Sequence, residues 1–195
     1  MESTQILQKN ILDATLRVFD RKGLKFTMDD LARELSISKK TIYTVYPEKE
    51  ALFLAMVDYI FDSIKESEQM ILSDPSLTTM EKLHRILSVL PEGYQNVDLR
   101  KLYSLKDKYP KIYAKVELRL ETGWEPTIGL IELGMAEGSI RRVPVCLVKM
   151  MLEASIEQFF QRDILAQNQL SYSEALQDVV DILIYGISTE RSPRT

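Results

Sequence analysis

Helix-breaking residues are scarce along this chain, and that scarcity limits the folds open to it more than any other feature. Glycine and proline occur seven times each among 195 residues. Apolar residues recur at helical spacing from the start, where Leu7, Ile11, Ala14 and Val18 are separated by steps of four, three and four. No stretch alternates polar and apolar residues in the manner of a half-buried strand. The pattern predicts an all-α fold of helices joined by short breaks.

Composition narrows the class of protein further. Hydrophobic residues make up 45% of the chain, which is typical of a globular domain. No run approaches the roughly 18 apolar residues of a membrane span. The first residues, MESTQILQKN, lack the basic start and apolar stretch of a signal peptide. Cys146 is the only cysteine, so no intramolecular disulfide can form. We therefore expect a cytoplasmic protein that makes no membrane contact.

Charge is distributed unevenly between the two ends of the chain. The net charge is −4, which by itself argues against a nucleic-acid-binding protein, since phosphate contacts need positive charge. Residues 1–50, however, hold nine basic and eight acidic residues, a net charge of +1, whereas the remainder holds 16 basic and 21 acidic residues. The acidity therefore belongs to the C-terminal part, and the first fifty residues remain compatible with DNA binding.

Two short helices with strong start signals are predicted between Thr27 and Tyr46. Thr27 is a good N-cap, and Asp30, three residues later, can complete a capping box. A three-residue break, 36–38, follows, and Ser38 can cap a second helix that begins at Lys39. This layout is that of a helix-turn-helix. A small helical hairpin with a solvated basic face remains the alternative.

The second helix of this pair has side chains suited to the major groove. Lysines neutralise phosphates, hydroxyl groups donate to phosphates or base edges, and a tyrosine combines a flat ring with a donor. Ile42 is expected to point inward, and Ile37 to fill the angle between the two helices. The outward set is Lys39, Lys40, Thr41, Tyr43 and Thr44.

The segment from Thr27 to Leu52 resembles the signature of the TetR family of transcriptional regulators. The resemblance covers about a quarter of the chain. The matching positions are Leu31-Ala32, Ile37, Thr41-Ile42-Tyr43, Tyr46 and Lys49-Glu50-Ala51-Leu52. Two positions depart from the signature: Lys40 stands where the family usually has glycine, and Val45 where it usually has a histidine or tyrosine that touches a phosphate. These departures concern how the helix docks on DNA.

The resemblance also implies roles for individual residues and for the two parts of the chain. Thr27, Tyr43 and Lys49 would contact phosphates, while Lys39, Lys40, Thr41 and Thr44 would face the major groove. Residues 1–50 would form the helix-turn-helix DNA-binding domain, and residues 51–195 a helical domain for effector binding and dimerisation. The implied function is a homodimeric repressor, released from a palindromic operator in double-stranded DNA by a small hydrophobic effector.

The C-terminal part is predicted to be helical at 78–90, 96–107, 110–122, 126–137, 144–166 and 172–188. The last two helices are the expected dimer interface, although their apolar residues would also suit the core of a monomer. The interface candidates are Leu147, Met151, Ala154, Val179, Leu183 and Ile187. A second, shorter resemblance to the family is the Gly-x-x-x-Gly-x-Ile-Arg sequence at 134–141.

Several large apolar side chains of the C-terminal part are candidates for an effector pocket, although each would also suit an ordinary core. They are Tyr94, Tyr103, Tyr113, Trp124, Met135, Met150 and Phe159. An alternative function is a DNA-bound adaptor whose C-terminal domain contacts a protein partner. Catalysis is not expected, because the sequence shows no phosphate-binding loop, nucleophile–base pair or metal cluster. We therefore predict no catalytic residue, no metal and no cofactor.

Overall fold

The computed structural model of the chain describes residues 2–90, 99–161 and 164–189. Nearly all of their regular structure is helical, and these ranges contain no β-strand. An isolated antiparallel bridge joins Ile140 to Ser188. The α-helices are α1 (Glu2–Lys22), α2 (Met28–Leu35), α3 (Lys39–Val45), α4 (Lys49–Ser73), α5 (Thr79–Ser88), α6 (Leu105–Lys108), α7 (Pro110–Glu121), α8 (Glu125–Glu137), α9 (Val145–Gln161), α10 (Ile164–Gln167) and α11 (Tyr172–Ile187). The all-α prediction is confirmed.

The chain divides into two compact units. Unit 1 comprises Met1–Asp62 and Val97–Leu118, and unit 2 comprises Ser63–Asn96 and Arg119–Thr195. The helix-turn-helix lies within unit 1. Helix α4 begins at Lys49 and continues past residue 50. The domain boundary expected at residue 50 stays a prediction. None of the helices described is long and apolar enough to span a membrane.

Helix ends follow the local sequence signals. Helix α1 ends at Lys22, and Gly23 takes a positive φ of 56°, a conformation that glycine adopts at little cost. The Thr27 hydroxyl accepts a hydrogen bond from the backbone N–H of Asp30, whose side chain accepts one from the Thr27 N–H. Ser171 and Glu174 form the same reciprocal pair at α11.

Unit 1 is built around three phenylalanines on different segments. The ring of Phe53, from α4, lies 5.6 Å from that of Phe19 and 5.5 Å from that of Phe26, in edge-to-face contacts. All three side chains are almost completely buried. Ile42 of α3 is fully buried as well, and burying a side chain of this size contributes about 1.5–3 kcal/mol. These residues give the helix-turn-helix a rigid base.

In its described part, 99–107, the expected helix at 96–107 is differently wound. A 3-10 helix covers Leu99–Ser104, and α6 adds one turn before the chain reaches Tyr109. Leu102 and Leu105 are both buried, and their three-residue spacing suits the 3-10 winding. Tyr109 precedes Pro110, which disfavours the α conformation and ends α6. The helix expected at 144–166 is described as α9 and α10.

Unit 2 has its core between α5, α8, α9 and α11. The buried side chains are Leu83, Ile86, Leu87, Leu130, Ile131, Ile140, Val148, Leu152, Leu176, Val180, Leu183 and Ile187. The Gly-x-x-x-Gly-x-Ile-Arg sequence turns the chain at the end of α8. Gly138 caps that helix with a φ of 80°. A Cβ on Gly134 would lie 2.6 Å from Cδ1 of Ile140, so the missing side chain makes room for Ile140.

Candidate nucleic-acid interface

The turn between α2 and α3 is held by a dense set of local hydrogen bonds. Ser36 adopts the left-handed conformation with φ of 54°, and its N–H donates to the carbonyls of Ala32 and Arg33. The N–H of Ile37 also donates to Ala32, at 3.1 Å. Ser38 Oγ accepts from the N–H of Thr41 at 3.0 Å and caps α3. The two helices are therefore fixed to each other by backbone bonds and by the buried Ile42.

Helix α3 has one buried and one exposed side. Ile42 and Tyr46 face the core. The hydroxyl of Thr41 is 2.8 Å from Ser38 Oγ, and its carbonyl accepts a bond from the Thr44 hydroxyl, so Thr41 stabilises the turn and is only half-exposed. The predicted residues that share the exposed side are Lys39, Lys40, Tyr43 and Thr44. Tyr43 is 40% exposed, so its ring and hydroxyl are accessible from solvent.

The two adjacent lysines of α3 differ in their surroundings. Lys39 Nζ donates to Asp29 Oδ2 at 2.8 Å, and this hydrogen bond raises the pKa of Lys39. Lys40 makes no ion pair with any residue that the structure describes and is exposed. Sequence reasoning did not single out Asp29, because its position on α2 gives no indication that it lies beside Lys39.

Lys49 lies apart from this exposed side. Its ammonium donates to the carbonyl of Leu24 at 3.0 Å and to that of Phe26, and it sits 4.1 Å from the centroid of the Phe26 ring. Burial lowers the pKa of Lys49. The phosphate contact expected of Lys49 would require its ammonium to leave both carbonyls.

Ion pairs fix α2 against α1. Glu34 accepts hydrogen bonds from Arg17 at 3.2 Å and from Arg21, and these guanidinium groups hold its pKa below the usual range. Asp30 accepts from Lys22 at 2.8 Å, and this bond, together with the Thr27 N–H, lowers the pKa of Asp30. Thr27 is exposed at the N-terminus of α2, where a phosphate could approach.

The residues predicted for an effector pocket are divided between the two units, and the pocket stays a prediction. Tyr103 and Tyr113 make an edge-to-face contact at 5.5 Å in unit 1. In unit 2, Met150 is exposed and Phe159 is buried against Tyr172. Met135 packs at the margin of the core, Trp124 lines a small cavity, and Tyr94 lies outside the described residues.

The residues predicted for a dimer interface fall into two groups. Leu147, Met151 and Ala154 are exposed along one side of α9. Leu183 and Ile187 are buried in the core of unit 2, and Val179 packs against that core. The exposed apolar side chains of α11 are instead Ile182 and Tyr185, each 69% exposed. We call Leu147, Met150, Met151, Ile182 and Tyr185 the exposed apolar set.

Comparison with known proteins finds similar sequences among bacterial transcriptional regulators. A sequence model of the bacterial regulatory proteins of the tetR family matches residues 11–56. The uncharacterized HTH-type transcriptional regulator YvaF of Bacillus subtilis is 29% identical over 184 residues, which cover 94% of this chain and 97% of YvaF.

Solved structures share the fold over nearly the whole chain. The TetR-family regulator from Cytophaga hutchinsonii superposes with a TM-score of 0.73 at 21% identity, covering 97% of this chain and 98% of that one. FadR of Bacillus subtilis, solved in complex with stearoyl-CoA, superposes with a TM-score of 0.65 at 20% identity, covering 92% and 98%. Residues 11–56 thus match the sequence pattern of the tetR family, and nearly the whole chain has the fold of TetR-family regulators.

Proposed function

We propose that this protein is a homodimeric repressor that binds a palindromic operator in double-stranded DNA and is released by a small-molecule effector. The observation that supports the proposal best is the exposed side of α3. Lys39, Lys40, Tyr43 and Thr44 share that side, and the capped turn and buried Ile42 hold the helix rigidly. A rigid short helix with basic, hydroxyl and aromatic groups on one side suits the major groove.

Each exposed side chain has a proposed partner on DNA. Lys39 and Lys40 read base edges or phosphates, and Thr44 contacts the groove beside them. Tyr43 and Thr27 position the helix on the phosphate backbone, Thr27 from the N-terminus of α2. Thr41 faces the groove only in part, because its hydroxyl is bonded to Ser38. Val45 is half-buried and offers no polar group, so its position makes no phosphate contact.

The exposed apolar set supports the homodimer. Five large apolar side chains on two packed helices are 47–69% exposed, and a second copy of the chain would cover them. A two-fold symmetric reader also matches a palindromic operator. The same residues are the surface that a protein partner would use if the protein were a DNA-bound adaptor. A concentration-dependent dimer of the purified chain supports the first function, and a monomer supports the second.

Release by an effector is supported by the fold. FadR, which shares this fold, was solved with stearoyl-CoA bound. A ligand can release this protein from DNA only if it binds the non-DNA-binding conformation more tightly than the DNA-binding one. The protein's affinity for the operator would then fall by the ratio of the effector's affinities for the two conformations.

Selection of bound sequences from random duplex DNA tests the proposal. We expect a palindrome whose half-sites are about one helical turn apart, roughly 34–36 Å centre to centre. Tyr43→Ala should then weaken binding to the operator and to an unrelated duplex by the same factor, while Tyr43→Phe separates the ring from the hydroxyl. Failure to enrich any sequence would overturn the proposal.

A further inference from the structure

A small cavity in unit 2 is lined by residues that have no role yet in the proposed function. It lies between the end of α7 and α9 and has a volume of about 100 Å³. Its lining residues are Leu120, Glu121, Trp124, Glu153, Ile156 and Glu157. We call it the Trp124 cavity. These residues comprise one aromatic, two aliphatic and three acidic side chains, so the lining combines apolar groups with negative charge.

The aromatic wall is fixed in place. The indole N–H of Trp124 donates to the carbonyl of Leu120 at 2.9 Å, which sets the orientation of the ring. The face of an indole attracts cations more strongly than that of the other aromatic side chains. Trp124 therefore presents a pre-oriented surface for a positively charged group.

A carboxylate oxygen in the same wall lacks a hydrogen-bond donor. Oε1 of Glu153 is buried and accepts no hydrogen bond from the described residues. Its nearest cation, Lys149 Nζ, is 3.4 Å away, which makes an ion pair without hydrogen-bond geometry. A buried acceptor of this kind is costly unless a partner satisfies it. Glu157 follows Glu153 by one helical turn, and like charges at that spacing repel each other.

Lys149 demonstrates that a cation fits beside this wall. Its ammonium lies 5.7 Å from the centroid of the Trp124 ring and donates to the carbonyl of Glu121 at 3.1 Å. Lys149 pairs with the carboxylate of Glu153, and the lining residues include two further glutamates, Glu121 and Glu157, so the lining keeps a net negative charge. Glu157 and Glu121 make no side-chain ion pair within the described part of the chain. The remaining negative charge favours a further cation in the cavity beside Lys149, not in its place.

We infer that the Trp124 cavity binds the cationic head group of an organic ammonium compound, and that compounds of this class are the effectors of the proposed repressor. The inference rests on the proposed function for its regulatory meaning. Pockets that enclose a whole drug-sized ligand measure roughly 300–1,000 Å³, so this cavity accommodates a head group and leaves the rest of the ligand outside. The small hydrophobic effector expected from the sequence thereby becomes an amphipathic cation.

Choline and its uncharged isostere 3,3-dimethylbutan-1-ol test the inference on the full-length protein. Trp124 is the only tryptophan in the chain, so its fluorescence reports on the cavity directly. We expect a saturable change with choline and at least tenfold weaker binding of the neutral isostere. Equal responses to the two compounds, or no saturable response to choline, would overturn the inference.

Three variants locate the binding site. Glu153→Gln and Glu157→Gln keep the side-chain shape and remove one charge each, and we expect each to weaken choline binding about tenfold. Glu132→Gln removes an exposed charge of α8 that does not line the cavity, so it should bind choline normally. Thermal melting by circular dichroism establishes that the variants are folded. A Glu132→Gln variant that loses binding as strongly as the other two would argue against the site.

Addition of choline to the operator complex separates this inference from the proposed function. Binding to free protein together with release of DNA supports both. Binding of choline without release of DNA supports the cation site but overturns its role as the effector site. If the protein does not bind choline but an uncharged compound releases it from DNA, the cation site is overturned and the proposed repressor function is supported.

Discussion

The ammonium of Lys39 lies 2.8 Å from Oδ2 of Asp29, and this pair joins the exposed side of α3 to the first turn of α2. Lys40, the next residue, makes no such contact among the described residues. In the absence of DNA, the two adjacent lysines therefore differ in their hydrogen-bond partners. To contact DNA, Lys39 must break its ion pair with Asp29, whereas Lys40 needs only to be desolvated.

Lys40→Ala should weaken operator binding more than Lys39→Ala. A specific lysine–base contact contributes about 1–3 kcal/mol of discrimination, and Lys40 offers it without breaking an existing ion pair. Asp29→Asn should strengthen binding, because it removes the negative charge that competes with DNA for Lys39. Fluorescence anisotropy titrations of the three variants at fixed salt provide the comparison. Equal losses for the two alanine variants would contradict the difference in their surroundings.

Lys49→Met should destabilise the protein without changing the salt dependence of DNA binding. The substitution keeps the aliphatic stem but leaves the carbonyls of Leu24 and Phe26 without their donor, at a cost of about 1–3 kcal/mol in the free energy of unfolding. Urea denaturation followed by circular dichroism measures that loss. A salt slope reduced by about one, with unchanged stability, would instead identify Lys49 as a phosphate contact.

Ile182→Glu should convert the proposed dimer into a folded monomer. Ile182 is 69% exposed within the chain, so a carboxylate there costs the monomer fold little but would be buried in a dimer interface. Met70→Glu is a matched control, since Met70 on α4 is also 69% exposed and lies outside the exposed apolar set. Sedimentation velocity measures both masses. A dimer that persists in Ile182→Glu would move the interface away from α11.

Acid should destabilise unit 1 through Asp30. The hydrogen bond from Lys22, followed by that from the Thr27 N–H, lowers the pKa of Asp30 in the folded state. A lowered pKa contributes stability at pH values above the unfolded value of about 3.9, and that stability is lost as the pH falls through the folded value. Urea unfolding between pH 7 and pH 3 should therefore be less pH-dependent in Asp30→Asn than in the wild type. Parallel curves for the two proteins would exclude this contribution.

The helix-turn-helix could be predicted from the sequence because its signals are local. Thr27 and Asp30 bond to each other over one turn, and Ser38 caps the helix that follows it. Such contacts depend on residues three positions apart and are visible in the sequence. The inward position of Lys49 depends on carbonyls about 25 residues away, and nothing in the local pattern indicates it.

The apolar residues of α11 show where periodicity stops being informative. Val179, Val180, Ile182, Leu183, Ile184 and Ile187 surround much of the helix, so the pattern does not tell which side meets the core. The structure buries Leu183 and exposes Ile182, one position away. The four-residue spacing of Glu153 and Glu157 brings two like charges together on one helix, which is unfavourable. This spacing is visible in the sequence, but it indicates a cationic ligand only when Trp124 is known to lie beside the two glutamates.

The fit of Ile140 against Gly134 has an evolutionary consequence. A Cβ at position 134 would overlap two carbon atoms of the Ile140 side chain, so neither residue can enlarge alone. Ile140 also forms the bridge to Ser188, just beyond the end of α11. Among homologues the two positions should therefore covary: alanine or serine at the first should be accompanied by a smaller side chain at the second, and lineages with only one of the two changes should be rare.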